Sequence, residues 1–168
     1  MIAVTILRGL PGTGKTTFAQ KQYDRNPKTT AVVSADLFFC KDGEYRFDAA
    51  KLTEAHEDCF RAFVLALSSD KVEHVIVDNT NVMIAELAPY VMYANAICYA
   101  DVRILEFEGS FPAMLNKNWH LYKERVTDLA FRNVHGINAS AIDAMCKKWQ
   151  EVPSYWKPIT RDAFKENV

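Results

Sequence analysis

No run of apolar residues approaches the roughly 20 that a membrane-spanning helix requires. The opening MIAVTILRGL has neither a basic leader segment nor a small-residue cleavage site. A spanning or secreted protein is therefore not expected, and a cytoplasmic one is. Cysteine is sparse: Cys40, Cys59, Cys98 and Cys146 form no CxxC pair, so reduced thiols are expected rather than a disulfide or zinc framework. His56 and Cys59 stand three residues apart, which supplies two ligands at most and fits core packing better than a metal site. An excess of either charge is also missing. Twenty Lys and Arg face 21 Asp and Glu, for a net charge of -1. That balance excludes coating a nucleic acid or a membrane by bulk charge, but it permits a local basic groove with a shallow, salt-sensitive grip. Repeats, linkers and low-complexity tracts are lacking too. With 168 residues, 49% hydrophobic and 24% charged, one globular domain over residues 1–168 is expected.

Apolar runs alternate with helical periodicity. Ile2 to Leu7, Thr30 to Ser34, His74 to Asp78 and Asp101 to Phe107 read as buried strands. Helices are expected from Lys15 to about Asp24, Asp48 to Ser68 and Ala85 to Cys98. Residues 36–47 read as a loop around Asp42-Gly43. The remainder reads as mostly helical and broken at His135-Gly136, with Asn138 capping a last helix whose Ile142, Met145, Cys146 and Trp149 share a face. The tail after Val152 has room for a short fifth strand. Strands alternating with helices imply an α/β fold with a parallel sheet of four to five strands flanked by helices.

Glycine is scarce, yet three of the six fall at Gly9, Gly12 and Gly14. Residues 9–16, GLPGTGKT, match the phosphate-binding loop G-x-x-x-x-G-K-[ST] between a strand and a helix, the signature of a P-loop NTPase. The loop of Gly9, Leu10, Pro11, Gly12, Thr13 and Gly14, through its backbone N–H groups (Pro11, which has none, gives shape only), and the helix start through Thr17 would cradle the phosphates of ATP. Lys15 would bridge the β- and γ-phosphates, and the Thr16 hydroxyl would ligate Mg²⁺. Asp36, just beyond the second strand, is the candidate proton acceptor. Asp78 ends the third strand where it would reach the Mg²⁺ shell through water, or the loop lysine, and no Glu follows it, which favours transfer over hydrolysis. Asn79, Thr80 and Asn81 are candidate acceptor-binding residues at the same edge. A helical lid over roughly residues 112–135 carries Arg125, a candidate substrate contact, and Arg132, a candidate catalytic cation, on one face. Lys123 and His135 are lesser members of that lid, and Lys117, Trp119 and His120 offer a basic, aromatic patch.

The ordered series RGLPGTGKTT, VVSADLFF, DGEYRFD, LTEAHEDC, VIVDNTN with ELAPYV, and FRNVHGI resembles the polynucleotide-kinase-like P-loop family. That group includes phage polynucleotide kinase domains, NEDD4-binding-protein-like ATPases and phage hydroxymethyluracil-DNA kinases. The resemblance spans roughly residues 4 to 150. It implies an ATP:hydroxyl phosphotransferase with Lys15 and Thr16 at the nucleotide, Asp36 as general base, Arg132 in the lid and the tract from Asp42 to Asp48 near the acceptor. Where the phage 5′-end kinase carries an arginine after its aspartate, this chain has Leu37, Phe38 and Phe39. Phe38 and Phe39 suggest stacking on a base. The expected acceptor is a nucleic acid, DNA or RNA, at a 5′-hydroxyl end or at the hydroxymethyl group of a base such as 5-hydroxymethyluracil. No obligate protein partner is expected, and no phosphatase or phosphodiesterase domain in cis. A small-molecule or nucleotide-sugar kinase and a non-catalytic ATP-binding module remain as alternatives.

Overall fold

The computed structural model describes residues 1–97, 100–107, 118–156 and 159–160. Cys98, Lys117 and the first part of the expected lid lie outside them. Five parallel strands form the main sheet: β1 (Ala3–Arg8), β2 (Thr30–Val33), β5 (His74–Asp78), β6 (Asp101–Glu106) and the two-residue β7 (Ile159–Thr160), in the order β2-β5-β1-β6-β7. Ala3 pairs with both His74 and Asp101, and Thr30 pairs with His74, so the carboxyl ends of β2, β5 and β1 finish side by side.

Alternate residues divide the sheet between two layers, as the period of two requires. Val4, Ile6, Val75, Val77 and Ile104 face one way, into a core shared with α2 (Leu52–Leu67) and α3 (Ile84–Ile97). The α2 stripe of Ala55, Cys59, Phe63 and Leu67 is the one its three-and-four spacing predicts. Leu7, Ile76 and Leu105 face the other way, toward Ala19 of α1 (Lys15–Arg25). A third cluster lies beyond the carboxyl edge. Here α4 (Trp119–Arg132) and α5 (Ala139–Lys147) bury Tyr122, Val126, Leu129, Ile142 and Cys146 against Leu10 and Val82, which belong to the turns after β1 and β5. Asn118 and Asn138 cap these helices through Leu121 N–H and Ala141 N–H.

The expected loop over 36–47 is more ordered than its composition suggests. Ala35–Phe39 forms a 3-10 turn, followed by the hairpin β3 (Cys40–Lys41) and β4 (Glu44–Tyr45). Asp42 and Gly43, at φ 55° and 81°, supply the left-handed pair that a two-residue hairpin turn demands. Two-residue strands are too short to show an alternating pattern, which is why they read as loop.

Arg8 ties the ends of these layers together. Its guanidinium is 1% exposed, donates to the carbonyls of Asn81 (2.9 Å), Val82 (3.0 Å) and Gln150, pairs with Glu106, and lies 4.0 Å from the Trp149 ring. Burial pulls its pKa down, opposed by Glu106. Among the described residues no helix is long and apolar enough to cross a membrane, and Cys40, Cys59 and Cys146 are free thiols.

Candidate phosphate-transfer site

The loop after β1 supports itself through one carbonyl. Leu10 C=O accepts from the Thr13 hydroxyl (2.8 Å) and from Lys15 Nζ (2.9 Å), which holds the lysine inside the turn. Gly12 meets the last turns of α4: a Cβ placed there would stand 2.5 Å from the Leu129 carbonyl oxygen. Helix α1 begins at Lys15 with no side-chain cap. Its first N–H groups and the positive end of its dipole therefore point into the loop.

A cavity of about 400 Å³ opens on this loop. Pro11, Gly12, Gly14, Lys15, Thr16 and Thr17 line one side; Gly9, Leu10 and Thr13, also expected at the nucleotide, do not line it. Asp36, Asp78, Asn79 and Thr80 from the ends of β2 and β5 line the cavity too, as do Arg132 and residues 133–135 and 137 from the end of α4. Strands sit about 4.8 Å apart, so β2 ends roughly 10 Å from β1. That spacing leaves room between Asp36 and the loop for a transferring group.

The Thr16 hydroxyl lies close enough to the Asp78 carboxylate to favour its charged form. Burial raises the Asp78 pKa, while the Lys15 charge and the Thr16 hydroxyl act to lower it. A hydroxyl and a carboxylate side by side are hard oxygen donors, the set that suits Mg²⁺ held chiefly by nucleotide phosphates and water.

Both Asp36 oxygens are engaged. Tyr45 donates its hydroxyl to Oδ1 (3.0 Å), and His135 Nε2 lies 3.5 Å from Oδ2, with the Tyr45 and His135 rings 4.5 Å apart. Burial and the Asp36 charge push the Tyr45 phenol up, which keeps it a donor. Ser34 sets the start of this turn by accepting from Asp36 N–H (3.2 Å). His135 is held by Asn133, whose side-chain amide donates to Ala130 C=O (2.7 Å) and Ile137 C=O (2.8 Å) and accepts from Ile137 N–H (2.8 Å). Tyr45 and Asn133 lie in the segments DGEYRFD and FRNVHG, the signals in the sequence that point to them.

Several expected contacts take other roles. Asn79 lines the cavity, but its side chain is buried, accepting from Ala35 N–H (2.9 Å) and donating to Cys59 Sγ (3.4 Å), so it clamps β5 to the Asp36 turn. Asn81 does not line the cavity. It is 1% exposed and donates to Leu7 C=O (2.8 Å), securing the end of β1. Arg125 also lies outside the cavity lining, yet it shares Asp128 with Arg132 as the helix spacing predicts, Arg132 Nε standing 3.1 Å away. Phe39 is 3% exposed and belongs to the core, packed against Phe47 at 5.1 Å; Phe38 is half-buried. Trp119 is half-exposed and stacks on Tyr122, with Lys123 Nζ 5.1 Å from its ring.

Residues 4–130 match the family described as an AAA domain. The chain belongs to this family, within its polynucleotide-kinase-like P-loop group. It is 32% identical over 153 residues to NEDD4-binding protein 2 of Homo sapiens, a match covering 91% of this chain and 8% of that protein. Kti12 of Chaetomium thermophilum, solved in complex with ADP-AlF3, superposes with a TM-score of 0.58 at 15% identity, covering 98% and 96% of the two chains. A chain of the Pnkp1/Rnl/Hen1 RNA repair complex gives 0.57 at 21% identity over 93% and 45%. A gluconokinase from Sinorhizobium meliloti 1021 gives 0.56 at 12% over 94% and 81%. At these identities the superpositions establish the P-loop kinase-like fold.

Proposed function

We propose that this protein is an ATP-dependent kinase that transfers the γ-phosphoryl group to a hydroxyl of a nucleic acid. The observation that carries the reading is one cavity lined by Lys15, Thr16, Asp36, Asp78 and Arg132, contributed by three strand ends and a helix from distant parts of the chain. The loop amides and the start of α1 bind the nucleotide phosphates, a reading supported by the shared fold of Kti12, which was solved in complex with ADP-AlF3. Lys15 leaves the Leu10 carbonyl for the β- and γ-phosphate oxygens. Thr16 and, through water, Asp78 are the residues that would hold Mg²⁺, which neutralises charge on the phosphates when bound. Asp36 receives the proton of the acceptor hydroxyl as the bond to phosphorus forms and the bond to the ADP oxygen breaks. The incoming hydroxyl takes the place of Tyr45 or His135 at the carboxylate. Arg132, at the end of α4, reaches the transferring group and spreads its charge.

A nucleic-acid acceptor is supported by the likeness to a chain of the RNA repair complex. The test is incubation with γ-labelled ATP and separate acceptors: 5′-hydroxyl DNA and RNA, DNA containing 5-hydroxymethyluracil, free nucleosides and sugars. Label is expected on a polynucleotide, and it should vanish in Lys15→Ala and Asp36→Asn. Label only on a sugar or nucleoside would establish the small-molecule reading instead, and full activity of Asp36→Asn would refute the general base.

A further inference from the structure

A second cavity of about 280 Å³ lies beside the Asp36 turn, outside the phosphate-transfer pocket. Phe38, Phe39 and Phe47 supply its rings, and Lys41, Arg46 and Lys51 its cations, against the single carboxylate of Asp48. Asp48 is already engaged, accepting from Ala50 N–H at 3.0 Å as the cap of the next turn. Arg46 pairs with Glu44 in solvent, whereas Lys41 and Lys51 make no ion pair among the described residues. In a chain of net charge -1, three cations around one hollow are a local concentration of positive charge. The rings add a second feature. Phe39 is buried and forms a floor, but Phe47 stands 56% exposed against it, and Lys41 Nζ sits 5.7 Å from the Phe38 ring.

Aromatic rings beside two lysines that make no ion pair among the described residues meet both halves of a nucleotide, the π-face of a base and the phosphate that follows it. Sugars lack that combination, and an acidic peptide would use the cations but leave the rings idle. The groove is also tied to the base. Phe38 and Asp36 belong to one 3-10 turn, two residues and so at most about 7 Å apart along the chain. Tyr45 touches both sides, its hydroxyl on Asp36 and its ring 6.2 Å from Phe39.

We infer that this groove is a nucleotide-binding subsite for the acceptor strand. A base stacks on Phe47 and Phe38 while Lys41 and Lys51 hold the flanking phosphates, and the reacting hydroxyl lies over Asp36. The inference rests on the proposed acceptor class, but its test need not pass through transfer. Binding of a fluorescein-labelled single-stranded oligodeoxythymidylate of about ten nucleotides is followed by anisotropy with the full chain and without ATP. Phe47→Ala should weaken binding roughly 5- to 150-fold, and Phe47→Trp should restore it. Lys41→Ala with Lys51→Ala should flatten the logarithmic salt dependence by about 1.4. The KM for ATP should not change in any of these variants. Binding unaltered in both the Phe47→Ala and the double lysine variant would overturn the subsite, as would an oligoglutamate peptide that binds as tightly and ignores Phe47→Ala. Transfer to oligonucleotides with unaltered binding would overturn the groove and leave the kinase standing. Phe47-dependent binding without transfer would keep the groove and overturn the acceptor assignment.

Discussion

Gly12 and Gly43 share a backbone angle, φ +81°, but not a neighbourhood, and replacing each with Ala separates two energies. At Gly43 nothing lies within 4 Å of the added Cβ, so Gly43→Ala carries only the cost of a left-handed residue, about 1–2 kcal/mol. At Gly12 the same cost applies, and the Cβ also meets the Leu129 carbonyl oxygen at 2.5 Å, about 1 Å inside ordinary contact. That oxygen is backbone of a packed helix and cannot rotate aside. Relief requires α4 or the loop to shift, which by analogy with overpacked cores costs about 1–3 kcal/mol. Gly12→Ala is therefore expected to destabilise by about 2–5 kcal/mol in urea unfolding and to exceed Gly43→Ala by about 1–3 kcal/mol. The displaced helix carries Arg132, and an error of 1 Å at a transfer site costs about 100-fold in rate. Gly12→Ala should lose transfer on that scale while Gly43→Ala stays near wild type. Equal unfolding midpoints for the two variants would refute the claim that α4 bears directly on the loop.

Three further outcomes follow from buried or coupled groups. Arg8→Met should cost about 3–5 kcal/mol, because it leaves Glu106, whose side chain is 14% exposed, without its cation; adding Glu106→Gln should recover part of that in the same urea assay, and a loss under about 1 kcal/mol would disprove the pinning role. Asn133→Ala should destabilise by about 1–3 kcal/mol and lower kcat/KM for transfer about tenfold, since the turn that carries His135 to Asp36 loses its amide clamp; a change in stability alone would confine Asn133 to the fold. His74 is hydrogen-bonded to Thr5 at 2.8 Å, and burial, then Arg103, lowers its pKa. The unfolded chain protonates that histidine near pH 6.5 while the native one stays neutral, so its contribution is complete above 6.5 and falls away below it, by at most about 1.4 kcal/mol per pH unit. His74→Gln should flatten the fall in urea midpoint between pH 7.5 and 5, and parallel curves would contradict the assignment.

How much could be read in advance depended on whether a residue's role is local. The phosphate loop, Asp36 and Asp78 were legible because each sits a fixed few residues beyond an apolar run. The two arginines seven residues apart shared a face because helix geometry alone requires it. Phe39, Asn81 and Arg125 read as ligand contacts, while the fold buries the first two and pairs Arg125 with Asp128 along the helix. An aromatic, an amide and a guanidinium look the same in sequence whether they meet solvent or a buried carbonyl. Tyr45 and Asn133 are hard to read for the opposite reason, since hydroxyl and amide side chains in turns usually serve the turn.

The order of apolar strands and periodic helices, with one glycine-rich turn ending in Lys15-Thr16, determined by itself an α/β sheet and a nest for phosphate. Those are short-range consequences of side-chain period and backbone freedom. Only the tertiary structure decided that β5 lies between β1 and β2, which sets Asp78 beside the loop and Asp36 across from it. It also brought the end of α4 over that edge, where Arg132 and His135 face residues about a hundred positions earlier. Strand order and helix docking are chosen by the fit of whole buried surfaces, and no local spacing encodes that fit.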